Sequence, residues 1–84
     1  MVKVRLFGVF RLDSGVKELD TDAGSVRELL PLIIRESKRI NPKNTMTVKD
    51  LKGCIISVNG RQVGLEAKLS DGDDVVLVPA VAGG

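Results

Sequence analysis

Ser70-Asp71-Gly72-Asp73-Asp74-Val75-Val76-Leu77-Val78-Pro79-Ala80-Val81-Ala82-Gly83-Gly84 contains a turn, a strand and a tail in succession. Ser70–Asp73 is a cluster of turn formers. Asp74–Val78 is the most apolar strand of the chain, with hydrophobic side chains at consecutive positions. Successive strand residues face opposite sides of a sheet, so this strand is apolar on both faces. Such a strand belongs inside a sheet rather than at its edge. Pro79–Gly84 then leaves the core with no charged side chain and finishes in two glycines. Fully extended, six residues reach roughly 20 Å.

The partner for a central last strand is found at the other end of the chain. Val2-Lys3-Val4-Arg5-Leu6-Phe7-Gly8 alternates, with Val2, Val4 and Leu6 on one side and Lys3, Arg5 and Phe7 on the other. Asp13-Ser14-Gly15 reads as a turn, and Val16–Thr21 as a second, edge-like strand, giving a hairpin with a long loop over 9–15. Ser25-Val26-Arg27-Glu28 is a capping box. It opens a helix whose apolar stripe is Val26, Leu29, Leu30, Ile33 and Ile34, and whose end carries Lys38 and Arg39. Pro31 lies inside it and predicts a kink or a tightened first turn. Residues 40–53 read as an irregular, mobile loop, with a short helical turn capped at Thr47. Cys54–Val58 is a third strand, and Asn59-Gly60 a tight hairpin turn into Arg61-Gln62-Val63. Leu65 and Leu69 are spaced as core plugs. The order predicts an α+β domain of β-grasp type: a mixed sheet of four to five strands, first and last strands adjacent at its centre, one main helix packed on one face. The domain spans 1–78, and 79–84 is a flexible tail.

Composition narrows the function. The chain has 84 residues, enough for one small domain. Its formal charge of +2, the lack of a Lys/Arg run, and only two aromatics, Phe7 and Phe10, argue against nucleic acid as partner. No histidine and one cysteine, Cys54, leave nothing for a metal or cluster site or a His-dependent triad. Cys54 falls on the inward set with Ile56 and Val58 and reads as a small core hydrophobe. Asp71, Asp73 and Asp74 lack the spacing of a calcium loop and read as turn and strand-entry residues. No apolar run approaches a membrane span, so the expected location is the cytoplasm, away from membranes.

Alternation also predicts a surface. With Val75 and Leu77 facing the helix, Val76 and Val78 face away, beside Phe7 of the neighbouring strand. That side has no helix, so either a partner covers Phe7, Val76 and Val78, or loop 9–15 or loop 40–53 does. Partner docking is the expectation carried forward.

Two terminal glycines make a thread that can enter a narrow channel and present a carboxylate. A carboxylate resists nucleophiles until it is activated, for example as an acyl-adenylate. The Val58-Asn59-Gly60 hairpin, the Asp71-Gly72-Asp73 turn, the apolar strand, the Pro79–Gly84 ending and the opening Val2–Phe7 with Arg11 together resemble the small subunit of molybdopterin synthase, a ubiquitin-like sulfur carrier. The resemblance covers most of the chain and is weakest over 40–53. Ala80 stands where a second proline is common. The resemblance implies that Gly84 is adenylated by a ubiquitin-activating-type adenylyltransferase using ATP and converted to a thiocarboxylate. The tail, Pro79, Ala80, Val81, Ala82 and Gly83, would then insert into the synthase large subunit. Sulfur would pass to the precursor of molybdopterin, the organic part of the molybdenum cofactor. On this view the chain is a co-substrate rather than an enzyme and binds no cofactor or metal itself. Relatives of the same superfamily serve as protein modifiers or supply sulfur for tRNA thiolation or thiamine, and these are the alternatives. A plain interaction module with an inert end is the reading from a different class.

Overall fold

The computed structural model describes residues 1–80, apart from the side chains of Val9 and Asp13; Val81–Gly84 lie outside the described residues. The chain forms β1 (Val2–Leu6), α1 (Val9–Ser14), β2 (Glu18–Thr21), α2 (Val26–Ile40), α3 (Val48–Lys52), β3 (Ile55–Val58), β4 (Arg61–Val63) and β5 (Asp74–Val78). One sheet has the order β2-β1-β5-β3-β4. β5 is its middle strand, parallel to β1 and antiparallel to β3, as its two apolar faces require. β2 and β4 are the edges, each antiparallel to its neighbour. This is the mixed β-grasp sheet that the sequence predicts.

The helix stripe and the inward strand residues form one core. Val26, Leu29, Leu30 and Ile33 of α2 are fully buried, as are Val4, Val75 and Leu77, with Leu6 nearly so. Each such side chain contributes about 1.5–3 kcal/mol by leaving water. Ser25 caps α2, its Oγ accepting from Glu28 N at 3.2 Å. The Glu28 carboxylate reaches the Ser25 hydroxyl rather than the backbone N–H of a full capping box. α2 runs unbroken through Pro31, which sits exposed on the solvent side. The missing Pro31 N–H leaves the Arg27 carbonyl without its i+4 donor, a loss that water makes good on an exposed face.

Two expectations are corrected. Residues 9–14 are a helix rather than a hairpin loop. Gly8 turns the chain at φ 61°, ψ −141°, and Gly15 closes the helix in the left-handed conformation at φ 74°, donating to the Arg11 carbonyl. The helix inserts Phe10 into the core. It also buries Ser14, whose Oγ accepts from Val16 N at 2.9 Å. Val16 is consequently a core residue ahead of β2, which starts at Glu18.

Residues 40–53 are likewise not a free loop. Thr47 and Asp50 form a reciprocal capping box that starts α3. Asn44 donates to the carbonyls of Ser37 and Asn41, and Met46 and Leu51 are buried. The segment is packed into the core beside the end of α2.

Candidate functional site

The place where the tail leaves the sheet is built from both ends of the chain. Phe7 N donates to the Leu77 carbonyl at 3.1 Å, which carries the β1–β5 pairing one residue past β1. On β5's other side, Val78 pairs with Ile55. Phe7, Val78 and Ile55 thus lie across three neighbouring strands on the face away from α2. They are 42 %, 38 % and 42 % exposed, so neither α1 nor residues 40–53 covers them. Val76 lies on the same face between Arg5 and Ser57 and is half-buried. The sequence therefore places Phe7, Val76 and Val78 together correctly. Ile55 is the member that sequence reasoning left out, although the alternation that turns Ile56 inward turns Ile55 outward.

Beyond Val78 the chain meets Gly8. A Cβ built on Gly8 would lie 3.1 Å from Pro79 Cγ and 3.2 Å from Pro79 Cδ. The positive φ and the proline ring both select glycine here. On the helix side, Pro79 and Ala80 border a hollow of about 350 Å³ with Phe10, Thr45, Met46, Asp50 and Gly53. The tail root is therefore seated between the two segments that the sequence read as loops.

The other end of β5 is pinned. Asn59 takes φ 53° and Gly60 φ 84°, the left-handed pair of a tight hairpin turn. Asn59 Nδ2 donates to Asp73 Oδ1 at 3.0 Å, and Asn59 Oδ1 accepts from Asp74 N at 3.0 Å. Asp73 Oδ2 accepts from Ser70 N at 2.7 Å. These bonds, the backbone one first and the Asn59 amide second, hold the Asp73 carboxyl below the ordinary carboxylate range. The Asn-Gly and Asp-Gly-Asp signatures are thus one structural unit that fixes where β5 begins.

Cys54 stands just before β3, half-buried, its Sγ donating to the Leu51 carbonyl at 2.7 Å. Burial pushes its thiol up to about 11, so almost none is thiolate at neutral pH. Among the described residues no group of His, Cys, Asp or Glu is placed to hold a metal ion, and no helix is long and apolar enough to cross a membrane.

This geometry, a β-grasp sheet delivering a side-chain-poor tail from its middle strand, has a counterpart among known families. Residues 4–84 match the ThiS family. The chain belongs to that family. A protein of Archaeoglobus fulgidus provisionally named a sulfur carrier protein is 35% identical over 88 residues, covering 99% of this chain and 98% of its own. Among solved structures, the small archaeal modifier protein SAMP1 of Methanosarcina acetivorans superposes with a TM-score of 0.73 at 26% identity, over 99% of this chain and 95% of that one. The molybdopterin-converting factor of Helicobacter pylori, a complex of its subunits 1 and 2, matches with a TM-score of 0.61 at 28% identity, over 99% and 97%. The chain is thus a ubiquitin-like protein of the sulfur-carrier group. The assigned tail residues Val81, Ala82, Gly83 and Gly84 fall outside the described residues, and only Pro79 and Ala80 are placed.

Proposed function

We propose that this chain carries sulfur as a thiocarboxylate on Gly84 for molybdopterin synthesis. The observation that carries the reading is the exposed apolar set Phe7, Ile55 and Val78 at the point where the tail departs. A partner held there receives a tail whose root is already aimed by Pro79 against Gly8. That the H. pylori relative is a complex of two subunits supports a protein partner for this chain. In the first step a Gly84 carboxylate oxygen attacks the α-phosphorus of ATP on the activating enzyme, and pyrophosphate leaves. A sulfur nucleophile then adds to the acyl carbonyl and expels AMP with the former carboxylate oxygen. The resulting thiocarboxylate enters the large synthase subunit. There its sulfur is transferred to the pterin precursor, and hydrolysis returns the carboxylate. Gly83 and Ala82 give clearance in the channel, and Val81 and Pro79 give grip and direction.

The test is intact mass after incubation with an adenylating enzyme of the ubiquitin-activating type, ATP and a sulfide source. The expected result is exchange of one oxygen for sulfur, mapped to Gly84 and absent when Gly84 is deleted. No exchange with any such enzyme, together with full function after deletion, rejects the carrier reading. The likeness to SAMP1 favours protein modification as a second reading; sulfur supply for tRNA thiolation or thiamine would use the same activated end. Lysine-linked conjugates in a pull-down point to the modifier. A stable complex with a large synthase subunit points to molybdopterin.

A further inference from the structure

The tail root has a second side. Pro79 sets its ring against Gly8 on the helix side of the sheet, and with Ala80 it borders the hollow of about 350 Å³ between α1 and α3. The floor of that hollow is apolar and fixed. Phe10 and Met46 are almost wholly buried, and Met46 N donates to Asn44 Oδ1 at 3.0 Å. Asp50, the acid among the described lining residues, is committed elsewhere: its carboxylate accepts from Thr47 N and Thr47 Oγ1. Gly53 completes the wall with no side chain. An apolar cavity of about 150 Å³ is enough to hold benzene, so this hollow has room for an aliphatic side chain. The exposed patch of Phe7, Ile55 and Val78 lies on the other face of the sheet.

We propose that this hollow is a seat for Val81 of the chain's own tail, so that the tail rests along the helix side until a partner draws it out. Register, distance and composition select this occupant. Side chains alternate along β5: Val75 and Leu77 enter the core beneath α2, Pro79 follows on their side, and Val81 is next in that series. Val81 is two residues beyond Pro79, roughly 7 Å of extended chain. A group tethered that closely competes at an effective concentration on the order of millimolar. Within 81–84, Val81 is the residue with a side chain larger than a methyl group, and no charged side chain there has to leave water. The consequence, which rests on the carrier reading, is a resting state. A partner on the sheet patch leaves the seat untouched, because the two lie on opposite faces, so the tail must give up the contacts of Val81 to enter the partner's channel. A seat filled roughly half to roughly four-fifths of the time lowers the apparent affinity for the tail about two- to fivefold.

The experiment reads methionine methyl signals by NMR. Met1 and Met46 are the only methionines of the chain, so carbon-13 at the methionine methyls reports the floor of the hollow through Met46. The full chain is compared with a chain ending at Ala82, a chain ending at Ala80, and Val81→Ser. The expected result is one Met46 signal shared by the full chain and the chain ending at Ala82, and a shifted signal in the other two. A nuclear Overhauser contact should join the Val81 methyls to Met46 or to the Phe10 ring. The same Met46 signal in all four proteins overturns the proposal, as does a contact from Val81 to Phe7 or Ile55 instead. So does a Met46 signal that responds only to protein concentration or only to the activating enzyme, which would give the hollow to a second copy or to a partner's side chain. Gly53→Leu tests the resting state. Gly53 has φ −86°, and a Cβ there would have only the Asp50 carbonyl oxygen close by, at 3.7 Å, so a larger side chain is accommodated at the wall of the hollow. With leucine in place the Met46 signal should no longer depend on residues 81–84. In ATP–pyrophosphate exchange by the activating enzyme, the KM for this chain should fall about two- to fivefold with kcat unchanged. An unchanged or higher KM overturns the resting state. Absence of exchange with the wild-type chain instead rejects the carrier reading, while the Met46 signals still decide the seat.

Discussion

Gly8→Ala tests how the tail root is aimed. Gly8 has φ 61° and ψ −141°, a region that residues with a Cβ occupy only at a cost of about 1–3 kcal/mol. The new Cβ would also press on the Pro79 ring at 3.1 and 3.2 Å, and crowding of this kind costs about 1–3 kcal/mol more. Together the loss is about 2–6 kcal/mol, or at about 4–8 °C per kcal/mol a fall in Tm of at least about 8 °C. Gly60→Ala is the reference, since Gly60 has φ 84° but open space around it. It should lose only the backbone term, about 1–2 kcal/mol. The contact itself is isolated by repeating Gly8→Ala in a Pro79→Ala background, where the two ring carbons are gone. Urea unfolding of the four proteins should give a coupling of about 1–3 kcal/mol between positions 8 and 79. If Gly8→Ala costs the same with proline or alanine at 79, the ring does not rest on Gly8 and the argument for a pre-aimed tail fails.

Leu51→Ala should destabilise by about 2–5 kcal/mol in chemical denaturation, because Leu51 is fully buried; a loss under about 1 kcal/mol would mean that α3 is dispensable to the core. Asp73 has a lowered folded carboxyl, so its contribution is complete above the unfolded value of about 4 and is lost as pH falls through the folded one. The difference in urea midpoint between wild type and Asp73→Asn should therefore shrink as pH drops below about 4, and a pH-independent difference would contradict the bonds from Ser70 N and the Asn59 amide to the Asp73 carboxylate. With its thiol at about 11, Cys54 should alkylate slowly with iodoacetamide near neutrality, at a rate still climbing with pH past about 10. Rapid labelling at neutral pH would show a thiol more open than the half-buried one seen here. Slow labelling would also let the same reagent report a thiocarboxylate on the tail without interference.

The elements that the sequence revealed are those with a repeating pattern or a constrained turn. β1 alternates over five residues, α2 repeats its stripe from Val26 to Ile34, about two and a half turns, and Asn59-Gly60 permits few backbone conformations. The doubly apolar β5 fixed the centre of the sheet, and with it the neighbours of Phe7 and Val78. α1 was hidden because six residues are too few to show helical periodicity; its signs were the flanking Gly8 and Gly15, which resemble any turn. The packing of 40–53 was hidden for another reason. Met46 and Leu51 are isolated apolar residues in a polar stretch, and their burial depends on the end of α2 and on α1, contacts distant in sequence. The seat of Pro79 needed both surprises, since Phe10 and Met46 form its floor.

β1 and β5 lie side by side and run the same way, with residue 2 at the start of one and residue 78 at the end of the other. A pull between these points loads their hydrogen bonds in shear, all at once, rather than peeling them one by one. The antiparallel ladder to β3 resists from the opposite flank, and the Asn59 amide ties the strand at its base. A pull on the tail against the start of β1 would thus load the whole parallel β1–β5 pairing together. On the carrier proposal, the domain could be drawn up by its tail against a partner and released still folded.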